Sequence, residues 1–90
     1  MCTYLTEKFA VAGSGKSATG WHSVSEATVY VDHPTHARYA HTVNIDFMNP
    51  KLGPSARVAL ELTEEDALAL ADAIRAALAA APAGLASRNQ

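Results

Sequence analysis

The sequence has one cysteine, Cys2, and so cannot form an internal disulfide, which fits a reducing cytosol and a cytoplasmic location. It has no run near the 18 or so apolar residues of a membrane span. Its start, MCTYLTEKFAV, lacks the charged beginning and apolar stretch of a signal peptide. It also lacks a basic excess. Seven Lys and Arg against nine Asp and Glu give a net charge of -2, so there is no electrostatic footprint for nucleic acid. Neither nucleic acid nor membrane is an expected partner.

What is present is an ordinary globular composition, 49% hydrophobic and 18% charged over 90 residues. That length supports one domain, expected over 1–81, with 82–90 a frayed tail. A chain this short buries only about 60–65% of the surface its unfolded form exposes, so a homodimer would be a natural way to hide more.

Alternation organises the chain. Leu5, Phe9 and Val11 alternate loosely with Glu7 and Lys8 as a first strand. Gly13 to Gly20, GSGKSATG, reads as a turn or flexible loop. In Trp21–Asp32, Ala27, Val29 and Val31 oppose Thr28, Tyr30 and Asp32, the pattern of a half-buried strand. HPTHARYAH follows as a loop, and His41–Phe47 alternates again with Val43, Ile45 and Phe47 inward. After a Pro/Gly break at 49–56, Arg57–Leu62 makes a fourth strand. Thr63 can then cap a helix whose acidic first turn suits the helix dipole and which stops near Ala81, before Pro82.

The expected fold is therefore α+β, a four-stranded antiparallel sheet with one C-terminal helix on one face (β-β-β-β-α). Val29, Ile45, Phe47, Leu60, Leu70 and Ile74 should be buried together. The other face, with Thr28, Tyr30, Thr42, Asn44, Arg57, Ala59 and Glu61, is either solvated or paired with a second copy, and pairing is the favoured reading.

Two strings invite chemistry. AVAGSGKS, Ala10–Ser17, matches the loosest phosphate-loop pattern, but the residues after Lys16 argue strand where such a loop needs a helix. It reads as a hairpin loop. DHPTHARYAHTVNIDFMN holds His33, His36 and His41. Continued parity from Val31 and Val43 sends His33 and His41 toward the helix-covered face, where with His36 they could hold one divalent ion. Asp32 or Asp46 could then hold the other ring nitrogens. The plainer alternative is that these histidines satisfy turn and backbone groups. His22, on the other parity, reads as a surface residue. Cys2 is either a small buried thiol or, as thiolate, a metal ligand or catalytic nucleophile.

MCTYLTEK, DHPTHARYAHTVNIDF and NP..GPSARVALEL together resemble a family of short actinobacterial proteins known only as a domain of unknown function. The resemblance covers nearly the whole chain up to the helix. The family pattern, a cysteine directly after methionine and DHP-x-HA followed by HT-x-NIDF, falls on Cys2, His33, His36, His41, Asn44 and Asp46, and not on His22. It implies that the N-terminus and histidine loop matter together, and it implies no reaction.

Three functional classes follow. One is a small metal-binding protein, in one form an enzyme of specialised metabolism, with His33, His36 and His41 as ligands and Cys2 as fourth ligand or nucleophile. Imidazole and thiolate suit zinc or copper, and a protein without any cofactor is as well supported. The second is a metal-free enzyme with a Cys2 nucleophile. The third is a dimeric small-molecule-binding or accessory module. Whether the chain is an enzyme is left open by the residues.

Overall fold

The computed structural model describes residues 5–85. It is a four-stranded antiparallel sheet in the order β1-β2-β3-β4, with β1 Thr6–Ser17, β2 Gly20–Asp32, β3 Thr42–Met48 and β4 Arg57–Leu62. The helix α1, Glu64–Ala80, follows β4 directly and touches β3 and β4. Thr63 caps it as expected, its hydroxyl accepting from the Asp66 amide at 3.1 Å. The expected α+β fold is the one observed.

Register sorts the side chains. Val29, Ile45 and Leu60 lie side by side, as do Val31, Val43 and Leu62, and Ala27, Phe47 and Val58. These rows make an apolar face. The other face carries Tyr30, Asn44 and Glu61 in one row and Thr28, Asp46 and Ala59 in the next. Adjacent residues on one strand point to opposite faces, so the binary pattern of the sequence becomes two chemically distinct surfaces.

The glycine-rich string is strand, not loop. β1 runs through it to Ser17, which pairs with Gly20 across a two-residue turn at Ala18 and Thr19. With extended backbone and no helix after Lys16, it cannot form a phosphate cradle. The glycines have a packing reason. A register shift between Ala10 and Gly13 bends β1, and the bent strand reaches β4 although two strands separate them in the sheet. A Cβ on Gly15 would stand 3.0 Å from Val58 Cγ2 and 3.4 Å from Val24 Cγ1. Turn chemistry read from composition alone misses this, because the close approach is a tertiary fact.

The apolar face does not close. Ile74 is 53% exposed and Leu70 38%, so the expected common burial with Val29, Ile45, Phe47 and Leu60 fails within one chain. The buried apolar residues among those described are Val24, Ala27 and Ala56, and no large side chain is fully buried. The reason is geometric. One helix rich in alanine covers part of one sheet and leaves a groove of about 570 Å³ between itself and Val29, Val31, Val43 and Ile45. The buried polar residues are instead Thr42, Asn44, Asp46 and Asn49.

Replacing Gly15 by Val should cost about 1–3 kcal/mol by overpacking against Val58. Denaturant unfolding measures it, and adding Val58→Ala should recover part of the loss.

Candidate functional site

On the polar face, Thr42, Asn44 and Asp46 of β3 are buried while Arg57 and Ala59 of β4 stay exposed. After Asp32 the chain leaves the sheet, and residues 33–41 have no ladder partners, so their amides need acceptors elsewhere. One side chain supplies them. The Glu61 carboxylate accepts from the backbone N–H of Thr35, from His36 at 2.9 Å and from Ala37 at 2.9 Å. Glu61 sits on β4 beside Asn44, so these bonds fold the loop toward the polar face. Three donors on one carboxylate favour its charged form. The Thr35 amide first, then those of Ala37 and His36, hold the Glu61 carboxyl below the ordinary carboxylate range.

Beneath the loop, Thr42 is 2% exposed and its hydroxyl lies 2.6 Å from Asn44 Oδ1. Asp46, 6% exposed, takes Arg57 Nη2 at 2.8 Å and Nε at 3.2 Å on Oδ1, and the Tyr30 hydroxyl at 3.4 Å on Oδ2. These partners compensate the desolvation of a carboxylate. Asn49, just past β3, ties this end of the sheet together. Its Nδ2 donates to Ser23 and its Oδ1 accepts from the Lys51 amide, capping a short 3-10 turn at Pro50–Leu52. A cavity of about 90 Å³ remains, bordered by Tyr30, Asp32, His33, Asn44, Asp46, Arg57 and Glu61.

Of the three histidines read as metal ligands, the structure brings two together. His33 and His41 stack with ring centroids 4.5 Å apart and planes inclined by 30°. His33 Nδ1 lies 2.8 Å from the Ala40 carbonyl, which therefore accepts from it. Neither ring lines the apolar groove, and His33 borders the polar cavity. Strand parity ends with β2 at Asp32, so it does not by itself fix where either ring points. His36 contributes its backbone amide to Glu61. Among the described residues, no three His, Cys, Asp or Glu side chains are grouped to hold a metal ion. Cys2 lies outside the described residues. Asp32 accepts from the His33 amide at 2.7 Å, and Asp46 serves Arg57 and Tyr30 rather than a histidine ring.

His22, expected at the surface, is partly exposed there. It is half-buried, its Nδ1 lies 3.1 Å from the Ser23 carbonyl, and its Nε2 is sealed from solvent with no hydrogen-bond partner among the described residues. Sequence reading also passed over Glu61 and Arg57 as site residues. Their signal was parity, since both fall on the polar row, but nothing local marks which surface the loop will close on.

The match to the family of unknown function DUF6295 spans residues 1–87, and the chain belongs to that family. No curated protein and no solved structure matches it. No helix of the described residues is long and apolar enough to cross a membrane.

The pH dependence of the loop follows from Glu61. Its folded-state pKa is depressed, so the anchor is complete above the unfolded carboxylate value of about 4.3 and is lost as pH falls through the lower folded value. The Thr35, His36 and Ala37 amide shifts should titrate together with a midpoint below that value. Glu61→Ala should speed hydrogen exchange of the same three amides by about tenfold at neutral pH, leaving the strand amides unchanged. Unchanged exchange at all three would remove Glu61 as the anchor.

Proposed function

We propose that this family member is a small-molecule-binding or accessory module, whose polar sheet face receives a compact cationic group beneath the histidine loop. The observation that supports it is the row of buried polar residues, Thr42, Asn44 and Asp46, roofed by a loop that one carboxylate ties down. Asp32, Asp46 and Glu61 border the cavity against a single guanidinium, Arg57. Acceptor oxygens of net negative charge suit an amino or amidino group. At about 90 Å³ the cavity is well below the roughly 300 Å³ of a site for a drug-sized ligand, so it takes one functional group and not a whole metabolite. Release of the Glu61 bonds would open the face for entry.

Methylammonium is a suitable probe, binding on the order of millimolar or weaker as a fragment of two heavy atoms must. In an NMR titration it should shift the amides of Tyr30, Asn44 and residues 35–37, and acetate should not. Equal shifts with both ions, or none with either, would sink this reading.

A second reading, metal binding with zinc or copper, is supported by the juxtaposition of His33 and His41 and by chain reach. Thr6 pairs with Tyr30, so the start of β1 lies at the sheet end where the histidine loop begins. Cys2 is four residues before Thr6, within about 14 Å of it. Stacked rings direct their in-plane lone pairs side by side, however, so a shared ion at about 2.0–2.1 Å from each requires one ring to rotate. Neutral imidazole is the ligand form, so affinity should fall in acid. Elemental analysis of protein purified without a histidine tag or chelator tests this, with occupancy lowered by His33→Ala, His41→Ala or Cys2→Ser and unaffected by His22→Ala. The enzymatic form of either reading would use Cys2 as nucleophile with a loop histidine as base, and thiol reactivity at neutral pH reports on it.

A further inference from the structure

The largest unexplained feature lies on the opposite side from the proposed site. Leu68 is 61% exposed, Ile74 53% and Leu78 60%, all on one helix, and the groove beside them is walled by Val29, Val31, Val43 and Ile45. Glu64 is the one charged residue among those that line the groove. A face so poor in charge is not built for water, and isolated apolar residues do not account for a contiguous groove.

The total surface gives the size of what is missing. The chain exposes 6945 Å², against about 5,050 Å² expected for a folded monomer of 9.5 kDa, an excess of about 1,900 Å². Setting aside the nine terminal residues outside 5–85 at about 160 Å² each leaves about 5,500 Å², against about 4,650 Å² expected for the remaining mass of about 8.5 kDa, still an excess of about 850 Å². A standard interface removes about 800 Å² per partner and obligate dimers remove more. The excess is thus the area of one stable interface per chain.

We infer that a second copy of this chain covers the groove between α1 and the sheet, in a two-fold dimer. The need for cover exists whenever the chain is folded, so the occupant must be present in equal amount and at once, which a second copy is. The surface also carries both halves of a self-complementary contact. Leu68, Leu70 and Ile74 wall the groove and are themselves 61%, 38% and 53% exposed, and Leu78 further along the helix is 60% exposed, so a two-fold axis can set the exposed apolar side chains of each helix against the groove of the other copy. The polar face offers less free surface for this, because the chain's own loop, tied down by Glu61, takes up part of it and its β3 residues Thr42, Asn44 and Asp46 are already buried. This inference stands apart from the ligand proposed above and survives its failure.

Light scattering or sedimentation equilibrium at micromolar concentration should give twice 9.5 kDa for the unmodified protein. Ile74→Asp should shift the mass toward monomer. Because that variant can also unfold, single cysteines at Leu68, Ile74, Leu78 and Ala59 in a Cys2→Ser background give a second measurement. A short bismaleimide should join copies through at least one of the three helix positions and not through Ala59 on the polar face. A wild-type mass of one chain up to millimolar concentration would overturn the dimer. Cross-linking through Ala59 in preference to the helix would overturn its face.

Discussion

One carboxylate decides which face of this sheet is closed. Glu61 gathers the amides of Thr35, His36 and Ala37, three donors that a loop beginning His33-Pro34 has no ladder to satisfy. Because Glu61 shares its row with Asn44 and Tyr30, satisfying those amides folds the loop over the polar residues. Thr42, Asn44 and Asp46 are buried as a consequence, and their own hydrogen bonds must then be met internally. The Arg57–Asp46 pair and the Tyr30 hydroxyl do so. Without the Glu61 anchor this face would be a solvated sheet surface of the kind antiparallel sheets tolerate.

The same arrangement leaves the chain unusually divided. Its polar face holds the buried Thr42, Asn44 and Asp46 while its apolar face is only partly covered, the reverse of what a self-sufficient small domain would choose. Hydrophobic burial is the main favourable term in folding, yet the fully packed apolar residues here are small ones such as Ala27. The 17-residue helix touches β3 and β4 and keeps Leu68, Ile74 and Leu78 exposed. The two faces therefore divide the work: one holds a preorganised polar network that suits recognition, and the other holds the surface area that suits assembly.

The strands were legible where alternation was strict. Ala27 to Asp32, Val43 to Phe47 and Val58 to Leu62 fall on the faces their parity assigns, and Thr63 caps the helix it was expected to begin. Legibility failed where a residue's role depends on a distant neighbour. Gly13 and Gly15 look like loop glycines, but Gly15 is small because Val58 lies against it. His33 and His41 adjoin their strands in sequence but lie outside the ladder, and they meet as a stacked pair.

Outside the glycine-rich string, the sequence by itself determined the element types, the antiparallel order and the existence of two chemically distinct faces, because period-two alternation and helix capping are local and need no partner. It also marked the histidine loop as the densest chemistry in the chain. Tertiary structure alone decided that Glu61 anchors that loop, that Asp46 belongs to Arg57 and not to a histidine, and that α1 leaves its groove open. Each of these depends on residues far apart in the chain meeting across the sheet, and sequence spacing carries no measure of that distance.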